Sequence, residues 1–245
     1  MIYEGNNFLS DNVVIILMTF ESVTKSELLS FLENEAKFRI DSYIEGAIEQ
    51  AEELHLGLKR EDGTSSFLET HIWPVAMDVV KHYMLVNKPI TAVQVVSAIL
   101  HDVLEDDDMI LDIYTAKGYG FEAYLRHRFG DKVYNVASTL KVKPLQNYSG
   151  SDDQEREFKR FCEYCNDLAN SEYDVKTIKL ADRLNNMRFI RHIPSHSKVN
   201  RYIKEAEDFY ISYTILNPRM ENFYTKIKKA YNDLKEIRNV TPLIT

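Results

Sequence analysis

The chain has 245 residues and carries 30 Lys and Arg against 38 Asp and Glu, a formal net charge of −8. That balance argues against nucleic acid or an anionic membrane as a partner, since both need an excess of positive surface, and it obliges any anionic ligand to find a local cationic patch. Only 8 Gly and 6 Pro are present, which favours long helices over a turn-rich β architecture.

Near the N-terminus the one apolar run is Val13 to Met18. It is too short to span a bilayer, and no basic segment precedes it as in an export signal. Met18 is an alternative start. Residues 1–23 are read as an N-terminal extension, and 24–240 as one all-α domain. Thr24 with Glu27 forms a capping box ahead of Leu28, Leu29, Phe31 and Leu32. An apolar stripe from Phe38 through Ile44, Ala47, Ala51 and Leu54 predicts a helix over 36–56, with Gly57 as its stop. A polar loop covers 59–66. Trp73, Val75, Ala76, Val79, Val80 and Tyr83 predict the next helix; Pro74 suits its first turn, and His71 lies just before it.

After Asn87-Lys88-Pro89, Thr91 and Gln94 repeat the capping-box pattern. The segment from Ala92 to Leu100 is apolar nearly all round and should run through the core. It then delivers His101, Asp102, Glu105, Asp106, Asp107 and Asp108. A helix C-terminus carries partial negative charge, so each acid there costs roughly 0.3–1 kcal/mol, and clustered carboxylates repel one another. A bound cation reverses both penalties.

Further helices are predicted over 121–129, 133–140, 155–169, 175–190, 198–216 and 219–237. The stretch 143–153 is the most loop-like, a connector or a flap. Cys162 and Cys165 make at most half a zinc site and read as structural thiols; two cysteines without an export signal fit a reducing, cytoplasmic setting.

His71, His101, Asp102 and Asp182 are the candidate metal ligands, drawn from neighbouring helices as in helical metal sites. Two imidazoles with two carboxylates suit manganese, iron or zinc more than calcium. Glu105 and Asp106 follow Asp102 by three and four residues, on the same side of a continuing helix. They are placed to handle a metal-bound water.

The order His71, His101-Asp102, Asp182 resembles the H…HD…D pattern of the HD-domain metal-dependent phosphohydrolases. The closer likeness is to the hydrolase domain of the RelA/SpoT homologues and the small alarmone hydrolases. His101-Asp102-Val103-Leu104-Glu105-Asp106 resembles that group's His-Asp-x-x-Glu-Asp, and Ile178 to Arg188 is similar to its Lys-Leu-Ala-Asp-Arg-Leu-His-Asn-Met-Arg run. His55-Leu56-Gly57-Leu58-Lys59-Arg60 resembles the loop that meets the guanine base. The resemblance, over residues 45–192, implies a single HD-domain helical bundle acting as a stand-alone hydrolase. Its reaction would remove the 3′-pyrophosphate of a guanosine polyphosphate, (p)ppGpp, to give GDP or GTP. It further implies manganese, one ion per chain, on His71, His101, Asp102 and Asp182, with Glu105 and Asp106 handling the attacking water. Lys59, Arg60, Lys179 and Asn186 would hold the nucleotide, and Arg60 can stack its planar guanidinium on a base. Departures from the family pattern are the segment Gly63 to Pro74, which has extra residues and no Tyr, Asn185 where His is usual, and Phe189 where a small polar residue is usual. Two other readings compete: an HD phosphohydrolase acting on another nucleotide, and a non-catalytic nucleotide sensor. Oligomeric state is not legible.

Overall fold

The structure, a computed structural model, describes residues 22–105, 120–193 and 196–240. Numbered in chain order, its helices are α1 (Lys25–Asn34), α2 (Ser42–His55), α3 (Trp73–Leu85), α4 (Ala92–Ile99), α5 (Phe121–Phe129), α6 (Asp131–Leu140), α7 (Asp153–Asn170), α8 (Tyr173–Ile190), α9 (His196–Glu205), α10 (Ile211–Ile215) and α11 (Glu221–Val240). Among the described residues there is no strand, and one isolated bridge, Lys59 to Ser66, closes the polar loop. The architecture is all-α, as expected. No helix among these residues is long and apolar enough to cross a membrane.

The capping boxes form where the sequence places them. The Thr24 N–H donates to Glu27 (2.7 Å) and the Thr91 N–H to Gln94 (2.8 Å). Helix α2 starts later than its apolar stripe suggests. Lys37 adopts a left-handed φ of +58°, and the Asp41 carboxylate accepts from the Tyr43 and Ile44 N–H groups, both at 3.1 Å. Phe38 and Ile40 pack on the core, partly buried, from outside any helix, so their burial mimics a helical period without a helix.

The core centres on α3, α4 and α8. Helix α8 packs against both α3 and α11, and α3 against α4. Its buried row includes Ile178, Leu180, Ala181, Leu184 and Met187. Asp78 of α3 accepts Arg188 of α8 (2.9 Å) and Lys226 of α11 (3.2 Å), fastening the three helices at one edge. His71 lies in a π-helical turn, Leu68–Ile72, that runs straight into α3. Such wide turns are common at functional sites because they re-aim a side chain that a regular helix would misplace.

Helix α4 corrects one expectation. It ends at Ile99, with Leu100 as its C-cap, and residues 101–105 form turns rather than further helix. Glu105 N–H donates to the Asp102 carbonyl at 3.0 Å. Leaving the helix relieves the adjacent residues of the 100° helical separation, so His101 and Asp102 can face one point.

Candidate metal centre

Four side chains from three segments converge. His71 comes from the π turn, His101 and Asp102 from the turns after α4, and Asp182 from the middle of α8. The His71 Nε2 is 2.8 Å from Asp102 Oδ2 and 3.7 Å from Asp182 Oδ1. The His101 Nε2 is 3.3 Å from His71 Nε2 and 3.3 Å from Asp102 Oδ1. His71, His101 and Asp182 each offer a ligand atom within 4.8 Å of the others. His71, His101 and Asp182 are buried, and Asp102 is half-buried.

The outer nitrogens of the two imidazoles are already committed. His101 Nδ1 lies 2.8 Å from the Ala98 carbonyl, which can only accept, so this nitrogen carries the proton. His71 Nδ1 lies 2.8 Å from Asn185 Oδ1. The Asn185 amide is oriented by its NH₂ group, which donates to the Thr70 carbonyl at 3.0 Å, so its oxygen accepts from His71. Both rings therefore turn Nε2 inward, toward each other and toward two carboxylates in a buried space: His101 with a lone pair, and His71 with the proton it shares with Asp102 until a cation displaces it. Electron-rich nitrogens and oxygens so arranged fit a divalent cation of the manganese, iron or zinc type.

The electrostatics agree. For Asp102, burial would raise the carboxyl, but His101 and His71 outweigh it and hold it well below the usual range. For His71, burial alone would lower the imidazole; Asp102 and Asp182 reverse that and raise it. His101 is lowered by burial against the pull of Asp102. Asp182 is kept low, against burial, by Lys179 at 2.6 Å.

A pH-dependent metal affinity follows. The metal-free His71 is held protonated toward Asp102, and a cation must displace that proton. Affinity should therefore rise about tenfold per pH unit below the raised His71 pKa and level off above it. Titration calorimetry in two buffers of different ionisation enthalpy should find about one proton released per ion near the lower pH. No proton release at any pH would refute the assignment of His71 Nε2 as a ligand.

Glu105 lies at the cleft wall, exposed to its solvent. Enclosure by protein, together with the Asp102 and Asp182 carboxylates, raises its carboxyl to about 8. Asp106 falls outside the described residues.

The expected nucleotide contacts are distributed unequally. Lys59 is exposed on the wall of the cleft. Lys179 is buried and ion-paired to Asp182. Asn186 donates to Asp182 Oδ1 at 2.5 Å. Arg60 borders the cleft but is 7% exposed. Its guanidinium donates to Asn185 (3.1 Å) and Asn186 (2.8 Å) and lies 4.0 Å over the Phe189 ring. The plane read from sequence as a base-stacking face thus meets Phe189, and Arg60 and Asn185 together buttress His71. Asn185 stood out in the sequence only as a departure from a family pattern. Its place three residues after Asp182, on the same helical face, was the available signal. Arg183, next to Asp182 in the chain, forms an ion pair with Glu205 at 2.7 Å.

The centre forms the floor of a cleft of about 780 Å³, within the roughly 300–1,000 Å³ typical of small-molecule sites. Its walls carry Lys59, Arg160, Arg201 and Lys204 beside Glu61, Glu157, Glu205 and Asp208, so cations for an anionic ligand are present among acids in a chain of net charge −8.

A model of the HD domain family matches residues 47–212. Among curated proteins, the chain is 24% identical to one from Oryza sativa subsp. japonica that carries the name GTP diphosphokinase RSH1, chloroplastic. The match takes in 79% of this chain and 22% of that protein, so the chain spans about a fifth of its relative's length. Among solved structures, it is similar to a metazoan orthologue of SpoT, described as hydrolysing ppGpp and playing a role in starvation responses. There the TM-score is 0.56 and the identity 17%, with 80% of this chain and 97% of that one covered; at that identity the likeness is one of fold.

Proposed function

This chain belongs to the HD domain family, and from that premise we propose that it is a metal-dependent phosphohydrolase that removes the 3′-pyrophosphate of (p)ppGpp. The observation that carries this reading is the pair of Nε2 atoms 3.3 Å apart, each aimed inward by a hydrogen bond through its Nδ1, between Asp102 and Asp182 on the floor of the cleft. Manganese is the proposed ion. A cation held by His71, His101, Asp102 and Asp182 would supply Lewis-acid activation of water or of a phosphoryl oxygen.

The remaining work falls to the chain. The Glu105 carboxylate takes a proton from water as its oxygen bonds to the 3′-linked phosphorus. The bond from that phosphorus to the ribose 3′-oxygen breaks, and the proton on Glu105 passes to the departing oxygen. Water and ppGpp thereby become GDP and intact pyrophosphate. A carboxyl raised toward neutrality is suited to both halves of this transfer. Asp106 is the proposed partner of Glu105. Lys59 is placed to offset phosphate charge at the wall, while Lys179 and Asn186 hold Asp182 in position. Binding by a protein of net negative charge then depends on the local cations and the metal.

The test is a substrate panel on purified protein with manganese, with other divalent ions and with chelator. Chromatography should show GDP and pyrophosphate from ppGpp, with turnover lost on chelation and restored by metal. Single phosphates, or full activity without metal, would defeat the reading. A second reading, a different nucleotide substrate, is favoured by one observation: Arg60 packs one face on Phe189 and is 7% exposed, which leaves little of its plane open to a base. Brisk turnover of another nucleotide beside none of ppGpp would establish it. A sensor without catalysis would need no proton-transferring carboxyl at Glu105.

A further inference from the structure

With Arg60 committed to Asn185, Asn186 and Phe189, the cleft needs another surface for a base. Helix α7 presents one. Phe158, Phe161 and Tyr164 recur at three-residue steps, and all three line the cleft. Phe161 and Tyr164 are partly buried against the core, whereas Phe158 is 57% exposed. At the inner end of the row, the Lys179 Nζ sits 5.1 Å from the Tyr164 ring centroid, and Lys179 is bound to Asp182. Six residues of helix separate Phe158 from Tyr164, about 9 Å along the axis. That spacing is comparable to the reach from a nucleobase to the phosphate on its own ribose. An aromatic ring left in water on the wall of a cleft that has Asp102 and Asp182 at its floor and Lys59, Arg160 and Lys204 on its walls has the position of a base platform.

We propose that Phe158 stacks on the base of the bound nucleotide, taking the place that Arg60 cannot fill. The proposal rests on the reading of the cleft as a nucleotide phosphohydrolase site. A benzene ring offers no hydrogen bonds, and stacking is tolerant of base identity because every base has a π-face, so the platform itself should hold guanine and adenine alike.

Phe158→Trp supplies a reporter. Trp73 is the native chain's only tryptophan and is 2% exposed, so its emission is a constant background. In the presence of manganese, GDP and ADP should each quench the introduced indole to saturation, while inorganic pyrophosphate, which has no base, should leave it unchanged. Equal quenching by pyrophosphate, no quenching by nucleotides that calorimetry finds bound, or no nucleotide binding at all would overturn the proposal. In turnover, Phe158→Ala should raise KM about tenfold and leave kcat within about twofold, the signature of lost uniform binding, with Phe158→Tyr restoring it; an unchanged KM would overturn it too. Failure of the wild-type protein to hydrolyse ppGpp would refute the substrate reading while the quenching result still decides the platform.

Discussion

Asp102→Asn is expected to remove metal and turnover together. The substitution keeps the shape of the side chain but deletes the negative charge lying 2.8 Å from His71 Nε2 and 3.3 Å from His101 Nε2. Metal content after dialysis should fall well below one equivalent, with affinity down by more than about 100-fold, the upper end of what loss of an outer partner costs. Asn185→Ala makes the comparison informative. Asn185 touches His71 through Nδ1, so its loss frees the ring to rotate and change tautomer, and affinity should fall by only about 10–100-fold. Arg60→Ala should follow Asn185→Ala more closely than it follows any cleft-wall variant, because its guanidinium donates to that same amide oxygen at 3.1 Å. Retention of wild-type metal affinity by Asp102→Asn would dismantle the centre as assigned.

Glu105→Gln should keep the ion and lose turnover by about 10²–10⁴, the contribution of a positioned acid–base group. Its pH profile carries the sharper information. The active form is the carboxylate, so rate is lost as pH falls through the Glu105 pKa. That pKa stands above the ordinary 4.5, at about 8, through enclosure and the repulsion of Asp102 and Asp182, and a bound cation pulls it down from there. The acid limb of the wild-type profile should therefore lie between these two values, and Glu105→Gln should abolish it. Loss of metal in this variant would make Glu105 a ligand instead. Asp106→Asn, measured beside it, divides the proton-transfer role between the two acids: the residue whose loss erases the limb is the one that carries the proton.

Much of the fold was legible because its signals are local. Capping boxes at Thr24 and Thr91, the apolar α4 and the stripe of α8 all depend on residues within one turn of each other, and backbone hydrogen bonding with side-chain burial acts at that range. The late start of α2 was not legible, since a left-handed Lys37 and a non-helical, partly buried Phe38 leave the same apolar spacing as a helix. The end of α4 was hidden for a similar reason: nothing in Ile99 to Glu105 reports a carbonyl that the next turn leaves unclaimed.

Chemistry alone pointed to His101 and Asp102, and the resemblance to the H…HD…D pattern joined His71 and Asp182 to them. An acid run that ends an apolar helix is electrostatically costly unless a cation joins it, and that argument needs no coordinates. What each residue does for the others was a matter of tertiary structure. The sequence offers Lys59, Arg60, Lys179 and Asn186 as equivalent polar groups near a motif. Folding buries Lys179 against Asp182, turns Arg60 inward onto Phe189 and leaves Lys59 in water. It also makes Asn185 the keeper of the His71 tautomer and sets Phe158 on the cleft wall. Lys179 meets Asp182 within one turn of helix, but Arg60 and His71 meet Asn185 across more than a hundred residues of chain, where the cost of burying a charge or an amide is settled by the partner that arrives.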